Sequence, residues 1–300
     1  MRGSLRALAR SGSSHEWLKR QHSDVYVRRA REGGFRARSF AKLLEVQERF
    51  ALLREGSLVL ELGAAPGGWS QLAVEHVYSR GIALPCPAVI HLDVPAPLLA
   101  PAAPPPRARR SIFSLGGEER PGSDAGKGAP SPLPAGGLLP QVRPLQCLPL
   151  VVALDLLPIE PIPGVQVVQG DGLRGDLVSV LTERVFSAHG RMPSVLLCDM
   201  APSFTGEGGT DQLRQVGLAC AALRGAVQGA LKEGGSLCVK ARYGEGYDKL
   251  RALLRARFEH LHEVKPPSSR SPSPECYFVG LGFLPAPFTP LEAAFLSHFY

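Results

Sequence analysis

The chain of 300 residues has no run of 18 successive apolar residues, so no segment is long enough to cross a bilayer as one helix. Its six cysteines form no C-x-x-C pair and have no zinc-like spacing with the eight histidines. We therefore expect reduced thiols, no disulfide framework and no metal site. Cys198, Cys238 and Cys276 lie in apolar runs, where a free cysteine packs as a small hydrophobe.

Two common nucleotide-binding fingerprints are missing from the glycine-rich turn that follows the apolar run at 58–62. The dinucleotide fingerprint needs a glycine where Ala65 stands, and Pro66 removes a backbone N–H where a pyrophosphate needs a donor. A P-loop needs a lysine directly after its last glycine, and none follows Gly68. The turn therefore lacks the usual features for binding dinucleotides or nucleoside triphosphates.

What the turn does contain is G-A-A-P-G-G-W-S-Q, between a strand-like run and a helix-like run. Glycines there let a ligand approach the main chain closely. The free N–H groups and the positive dipole end of the following helix face such a ligand. We predict a nucleotide-like cofactor at this turn, with the candidate binding residues Gly63, Pro66, Gly67, Gly68 and Trp69.

Strand-like and helix-like runs alternate through the body of the chain. The strand-like runs are 58–62, 150–155, 165–169, 195–199, 236–240 and 276–281. The helix-like runs are 69–77, 173–186, 211–231 and 247–258. This alternation predicts an α/β fold with a doubly wound, mostly parallel, Rossmann-like sheet, helices on both faces, and ligands at the carboxyl ends of the strands.

Acidic residues follow the second and third of these strand-like runs. Asp155 is the candidate acceptor for the ribose hydroxyls of an adenosine ligand, and Asp171 is placed to reach the adenine edge. Either residue alone is more typical of a turn or a helix cap. Their order after the glycine turn favours cofactor binding.

The motifs resemble those of S-adenosylmethionine-dependent methyltransferases, specifically the FtsJ-like (RrmJ-type) RNA 2′-O-ribose methyltransferases. In chain order they are W-L-K-R-Q-H-S-D-x-Y-V, R-x-R-S-x-x-K-L, G-A-A-P-G-G-W-S-Q, D-L-L-P-I-E-P-I, D-M-A-P and E-x-Y. The chain departs from the family at Glu61, where an aspartate is usual and the charge is expected to be kept, and at Ser203, where an asparagine is usual.

The resemblance implies a catalytic tetrad, because Lys42, Asp199, Lys240 and Glu275 match the family's Lys-Asp-Lys-Glu order. It also implies S-adenosylmethionine as cofactor, with Asp199 beside its reactive methyl. Burial at a strand end and the charge of Lys42 are expected to lower the pKa of Lys240 and make it the general base. Lys42 would then stabilise the developing alkoxide while the carboxylates orient both lysines.

The net charge of +7 belongs to residues 1–50, which hold 12 Lys and Arg against 5 Asp and Glu. Residues 1–14 contain three arginines and no acid, which predicts a mitochondrial targeting segment. Residues 15–50 predict a basic helical RNA-binding arm, broken at Gly33 and Gly34. The residues expected to bind phosphates are Lys19, Arg20, Arg28, Arg29, Arg36 and Arg38.

A methyltransferase domain at 51–283 and a C-terminal tail at 284–300 follow, with an insertion at 85–147. Of the 28 prolines, 15 lie between residues 85 and 149, a composition that predicts a disordered insertion. Residues 88–93 also resemble a strand and compete with 150–155 for the role of the second strand. We favour the later run, because the family motif D-L-L-P-I-E-P-I continues from it.

The resemblance implies methylation of a ribose 2′-hydroxyl in ribosomal RNA. The mitochondrial branch of the family predicts a uridine in the A-loop of mitochondrial large-subunit rRNA, methylated in the matrix by a monomer that binds this RNA or a precursor of the large subunit. The same tetrad would also serve an enzyme acting on tRNA or on an mRNA cap, although no aromatic sandwich for a cap is evident. A non-catalytic RNA-binding assembly factor is the remaining alternative, and the intact tetrad argues against it.

Overall fold

The structure is a computed structural model that describes residues 24–92, 148–270 and 273–299. Several predictions lie outside the described residues. They are the targeting segment at 1–14, the phosphate contacts of Lys19 and Arg20, and the disorder of most of the insertion at 85–147.

An eight-stranded sheet forms the centre of the described part of the chain. Its strands are β1 (Val59–Leu62), β2 (Ala88–His91), β3 (Val151–Asp155), β4 (Val165–Gln169), β5 (Val195–Cys198), β6 (Ser236–Arg242), β7 (Phe258–Val264) and β8 (Glu275–Phe283). Their spatial order is β2-β4-β3-β1-β5-β6-β8-β7. Strand β8 is antiparallel to both of its neighbours and the other pairs in this sheet are parallel, which confirms the predicted doubly wound, mostly parallel fold.

Helices cover both faces of the sheet. In chain order they are α1 (Val25–Glu32), α2 (Phe40–Phe50), α3 (Gly68–Val77), α4 (Leu177–Leu181), α5 (Ser187–His189), α6 (Gly208–Gly225), α7 (Tyr247–Arg255) and α8 (Pro290–Leu296). Two π-helical turns, Thr182–Phe186 and Ala226–Ala230, follow α4 and α6. The break between α1 and α2 contains the predicted Gly33 and Gly34.

Burial on both faces explains the sequence of the central strands. All four residues of β1 are buried; Val59 packs with α2 and α3 on one face, and Leu60 packs with α6 on the other. A parallel strand covered by helices on both faces has no solvent side, so its sequence is continuously apolar rather than alternating. The exception is Glu61, a buried acid at the carboxyl end of β1.

The predicted start of the insertion at residue 85 is wrong, because residues 88–91 form β2. This strand pairs in parallel with β4, and the side-chain Nε2 of Gln166 donates a hydrogen bond to the Ala88 carbonyl at 2.9 Å. The preferred run at 150–155 supplies β3, which pairs directly with β1. Both competing runs are therefore strands, and β2 occupies the edge because β3 holds the place beside β1.

The C-terminal tail packs on the methyltransferase body. Helix α8 begins with a capping box between Thr289 and Glu292, and Leu296 is buried. Arg257, 2% exposed, lies 2.7 Å from a Glu292 carboxylate oxygen and has its guanidinium carbon 4.3 Å from the Phe288 ring centroid. Among the described residues, no helix has the length and apolar character needed to traverse a membrane.

Candidate active site

Three of the four predicted tetrad residues lie at the carboxyl ends of β5 and β6 and at the start of β8. Asp199 directly follows β5, Lys240 lies near the end of β6, and Glu275 begins β8. In the antiparallel pair of β6 and β8, Lys240 is opposite Tyr277 and Arg242 is opposite Glu275. Residues two apart on a strand share a face of the sheet, as do residues opposite one another on paired strands. The side chains of β6 and β8 that therefore project to the same side are those of Lys240, Arg242, Glu275 and Tyr277.

All four predicted catalytic residues come together as two ion pairs. Lys240 Nζ lies 2.7 Å from Asp199 Oδ1 and donates a hydrogen bond to the Asp199 carbonyl oxygen at 2.8 Å. Lys42 reaches the site from α2, and its Nζ donates to Glu275 Oε1. Side-chain exposures lie between 9% and 17%, so both pairs are largely shielded from water but remain open on one side.

Tyr277 connects the two ion pairs and was not predicted as a site residue. Its hydroxyl oxygen lies 2.8 Å from Asp199 Oδ1 and 3.3 Å from Glu275 Oε1. The ring is fully buried, with its centroid 5.7 Å from that of Trp69. The signal was present in the E-x-Y motif, because two residues separated by one along a strand face the same side.

The prediction that Lys240 has a lowered pKa is wrong in this structure. Burial does push its pKa down, but the Asp199 and Glu275 carboxylates and the hydrogen bond to Asp199 together outweigh burial and raise the pKa above the ordinary value. Lys240 is therefore a protonated cation at neutral pH. The sequence identified the burial of this amine but not the distance to its counter-ions.

Glu275 and Tyr277, which lie beside the lysines, have protonation states that complement the positive charge of Lys240. Burial raises the pKa of Glu275, but Lys42 and Lys240 outweigh it, so the net pKa is below the ordinary value and Glu275 is ionised. Burial and the nearby Asp199 and Glu275 carboxylates raise the pKa of Tyr277 well above its usual range. Tyr277 thus remains a hydroxyl donor, and the site presents two cations next to two carboxylates.

The glycine turn after β1 is shaped by close backbone packing. Gly63 has φ +75°, and a Cβ there would lie 2.7 Å from Met200, which follows β5. Gly67 has φ +109°, and its Cβ would lie 2.6 Å from Ile162 Cδ1. Side chains at these positions would meet both steric and conformational penalties. The turn therefore holds the ends of β1 and β5 close together at the point where the strand order reverses.

A cleft of about 280 Å³ opens beside this turn and extends to Asp199. Four of the predicted cofactor residues line it: Gly63, Asp155, Asp171 and Asp199. Asp155 Oδ2 accepts a hydrogen bond from the Ala65 N–H at 2.8 Å, which fixes the carboxylate against the turn. A larger groove of about 1070 Å³ adjoins the cleft at Leu173 but contains none of the predicted site residues.

The other predicted cofactor residues shape the turn without lining the cleft. Trp69 is 2% exposed and donates its Nε1–H to the Ser39 carbonyl at 2.8 Å, so its ring packs inside the fold and does not line the cleft. Cofactor binding by Trp69 stays a prediction. A Cβ on Gly68 would lie 3.2 Å from Ala37, which indicates tight packing against the segment before α2. Pro66 is exposed and Gly67 is buried, and neither borders the cleft.

Comparison with known proteins identifies the family. Residues 35–107 and 138–283 match the profile described as "FtsJ-like methyltransferase". The chain belongs to the FtsJ-like methyltransferase family.

Curated relatives agree with this assignment, and a solved structure shares the fold. The chain is 32% identical over 274 residues to "Ribosomal RNA large subunit methyltransferase E" of Alkalilimnicola ehrlichii, covering 91% of this chain and 97% of the relative. It is 31% identical over 279 residues to the protein of the same name from Gluconobacter oxydans, covering 93% and 76%. A ribosomal RNA methyltransferase structure from Plasmodium falciparum shares the fold, with a TM-score of 0.52, 19% identity and coverage of 83% and 99%.

Glu61 is the position at which this FtsJ-like chain has a glutamate in place of the expected aspartate. The side chain is 1% exposed and accepts a hydrogen bond from Ser70 Oγ at 2.5 Å. Burial, opposed by this hydrogen bond and reinforced by the charges of Asp199 and Asp155, raises the pKa of Glu61 to about 8. The expectation that the charge is kept is therefore wrong at neutral pH, because Glu61 is mostly protonated.

Two of the predicted phosphate-binding arginines make contacts within the FtsJ-like chain. The guanidinium group of Arg36 donates to the carbonyl oxygens of Pro66, Glu160 and Pro161, and thereby ties the glycine turn to the segment after β3. Arg38 lies 3.0 Å from an Asp24 carboxylate oxygen and also donates to the Ser268 carbonyl. Both side chains therefore stabilise the fold around the site, and the sequence composition alone did not reveal this use.

The two remaining described candidates for phosphate binding face solvent. Arg28 and Arg29 lie on the exposed side of α1. Arg28 pairs with Glu32 at 3.8 Å with both side chains about 70% exposed, an arrangement that contributes little energy and is readily exchanged for a phosphate. Phosphate binding by Arg28 and Arg29 stays a prediction.

Proposed function

We propose that this FtsJ-like methyltransferase uses S-adenosylmethionine to methylate a ribose 2′-hydroxyl in ribosomal RNA. The observation that carries the proposal is the line Lys42, Glu275, Tyr277, Asp199, Lys240 at the mouth of a carboxylate-lined cleft. The names of the relatives, ribosomal RNA large subunit methyltransferases, support RNA as the substrate.

The cleft has donor and acceptor groups that fit S-adenosylmethionine. Asp155 accepts one backbone N–H on each carboxylate oxygen, from Ala65 and Leu157, and each oxygen retains lone-pair capacity for a ribose hydroxyl. Leu156 and Leu157 are 65% and 64% exposed beside it and offer apolar contact to a purine ring. Bound there, the cofactor would supply an electrophilic methyl group on a positively charged sulfur.

The two lysines act as fixed cations for the incoming hydroxyl oxygen. A ribose hydroxyl is a weak acid, so it reacts readily only where positive charge stabilises the developing alkoxide. Lys240 and Lys42 supply that charge, and the carboxylates of Asp199 and Glu275 hold both amines in place. Because these groups are already oriented before the reaction, little reorganisation is needed during it. The proton that the hydroxyl loses as its oxygen is methylated passes to the Asp199 carboxylate, which borders both the cleft and Lys240, and from there to water.

Substitutions of Lys240, assayed as a function of pH, distinguish whether its side chain acts as a cation or as a base. Lys240→Met removes the charge and is expected to abolish transfer. Lys240→Arg keeps a permanent positive charge and cannot act as a base at neutral pH, so it should retain measurable turnover. Single-turnover rates of both variants between pH 6 and pH 9 test this. If Lys240→Arg is as inactive as Lys240→Met while its cofactor affinity is normal, Lys240 is a base and the assignment as a cation is wrong.

The chemistry is tested by transfer of a labelled methyl group to RNA. Purified protein, methyl-labelled S-adenosylmethionine and a large-subunit rRNA fragment that contains the peptidyl-transferase A-loop are incubated, and the modified nucleotide is mapped. We expect label on a ribose 2′-oxygen, and no label when that nucleotide is 2′-deoxy. Methylation of a base, or of the deoxy substrate, would refute the proposed reaction.

The finer assignment rests on resemblance and on the N-terminal composition. We infer a uridine of the A-loop in mitochondrial large-subunit rRNA as the target and the mitochondrial matrix as the location, because residues 1–14 have the composition of an import segment. Mapping 2′-O-methyl sites in mitochondrial and cytosolic rRNA with and without the protein tests both inferences. Loss of a site only in cytosolic rRNA would contradict them.

A further inference from the structure

An exposed aromatic ring lies on the loop that joins the tetrad to α6. Phe204 is 55% exposed, and its ring centroid is 5.1 Å from the guanidinium carbon of Arg242. A single exposed hydrophobic side chain is ordinary in itself. The contacts that fix the loop around Phe204, however, indicate a binding surface.

The backbone on both sides of Phe204 is fixed by charged side chains of α6. Asp211, 4% exposed, accepts hydrogen bonds from Thr205 N, Thr205 Oγ1 and Gly206 N at 2.8, 2.9 and 3.1 Å. Arg214 donates to the Ser203 carbonyl at 3.4 Å. The loop is therefore braced immediately before and after a ring that is left open to solvent, which lowers the entropy cost of using that ring as a binding surface.

Arg242 places this ring next to the tetrad. It lies two residues after Lys240 on β6 and opposite Glu275 on β8, so it shares their face of the sheet. Two residues along a strand span about 7 Å, which is the scale of one nucleoside. The Nε of Arg242 is buried and meets no hydrogen-bond acceptor within the part of the chain that the structure describes.

We propose that Phe204, backed by Arg242, is the stacking surface for the nucleobase of the nucleotide whose ribose enters the tetrad. This inference rests on the proposed function. Every nucleobase has a flat π face that stacks on an aromatic ring, and a planar guanidinium behind the ring adds cation–π attraction. Specific RNA recognition commonly places unstacked bases on such aromatic and arginine surfaces. The nucleotide is then bound at both its base and its sugar, and this aligns the 2′-hydroxyl with the tetrad.

The test compares Phe204→Ala and Phe204→Tyr in steady-state methylation of the mapped rRNA fragment. Loss of one base stack is expected to lower kcat/KM about tenfold in Phe204→Ala, while Phe204→Tyr stays within about twofold of wild type. Cofactor affinity, measured calorimetrically, should be unchanged in both variants. Equal activity of Phe204→Ala and wild type would overturn the proposal.

A second substrate distinguishes stacking from a structural effect on the loop. When the target nucleotide is replaced by an abasic ribose, wild type should lose about tenfold in kcat/KM and Phe204→Ala should lose little more, because the partner of the ring is already gone. If the losses in kcat/KM from Phe204→Ala and from the abasic substrate multiply as independent effects, the proposal is overturned. Wild type that is inactive on the intact rRNA fragment would instead contradict the proposed function, so the two failures are distinguishable.

The chain offers a matched control for the loss of positive charge. Lys249, on α7 and outside the predicted RNA-binding arm, forms another cation–π pair, with its Nζ 5.3 Å from the Phe295 ring centroid. Arg242→Gln is expected to lower kcat/KM severalfold and Lys249→Gln to leave it unchanged. Equal losses of kcat/KM in the two variants would mean that Arg242 acts only through net charge, and would overturn its assignment to the stacking surface.

Discussion

Replacing the buried acid that precedes the glycine turn with its amide is expected to stabilise the protein at neutral pH. Glu61 is 1% exposed, and its pKa is raised to about 8, so the folded protein keeps a proton that the unfolded chain releases. Holding that proton costs free energy wherever the unfolded glutamate is ionised. Glu61→Gln has no proton to release, and its amide oxygen retains an acceptor for Ser70.

The size of the effect follows from the two pKa values. With 4.5 as the ordinary value and about 8 in the folded protein, the cost to wild type is about 1 kcal/mol at pH 5 and about 3 kcal/mol at pH 7. The stability of wild type falls as the pH rises from about 4.5 to about 8, because the unfolded state binds fewer protons in this window. Glu61→Gln should therefore gain about 2 kcal/mol on wild type between pH 5 and pH 7.

Urea unfolding at pH 5, 6, 7 and 8 measures this difference directly. Any fixed effect of the amide on packing shifts all four values equally, so the slope of the difference against pH is the informative quantity. Glu233→Gln, at an exposed position, is the control and should show no such slope. A stability difference between Glu61→Gln and wild type that is constant from pH 5 to pH 8 would refute the reasoning.

Three further substitutions test the remaining contacts. Tyr277→Phe keeps the buried ring but removes the hydroxyl between the carboxylates, so kcat should fall about tenfold or more and the free energy of unfolding by about 1 kcal/mol, measured by single-turnover assays and urea unfolding. Arg36→Gln should weaken binding of S-adenosylhomocysteine severalfold in calorimetry without changing the salt dependence of RNA binding, whereas a lost phosphate contact would reduce the salt slope by about 1. Arg257→Ala should destabilise the fold by about 3 kcal/mol in urea unfolding, because it leaves Glu292 without its buried partner. An exposed-site control, Leu291→Ala, should stay near wild type.

The central sheet could be predicted from the sequence because its strands are buried on both faces. Continuous apolar runs bounded by turns identified β1, β3, β4, β5, β6 and β8 to within a few residues. Strand β7 was missed because F-E-H-L-H-E-V buries only its ends; its first residue, Phe258, was counted as the end of the helix-like run 247–258, and the rest was assigned to no element. An edge strand with a solvated face carries a weak apolar pattern, so its position depends on pairing with β8, which local sequence does not encode.

Which residues form the site was easier to predict than the protonation states of those residues. Ordered motifs identified the four residues of the tetrad, and the pairing of β6 with β8 explains why Lys240 and Glu275 share a face of the sheet. The state of Lys240 depends on a 2.7 Å contact with Asp199 that brings together residues 41 positions apart in the chain, and no sequence pattern reports such a distance. Similarly, the basic composition of the arm did not distinguish Arg36, which binds carbonyl oxygens of its own chain, from the exposed Arg28.

The charges of the site explain why both ion pairs are needed. Two lysines and two carboxylates sum to zero, so the buried cluster carries no net charge that would strain the fold before a substrate arrives. In the proposed reaction, a developing alkoxide adds one negative charge, and a sulfonium methyl donor brings one positive charge. The cluster therefore favours the reaction by orientation rather than by net charge: the amines must face the oxygen while the carboxylates stay behind them. Tyr277 contacts both carboxylates, and so fixes the relative position of the two pairs on which that orientation depends.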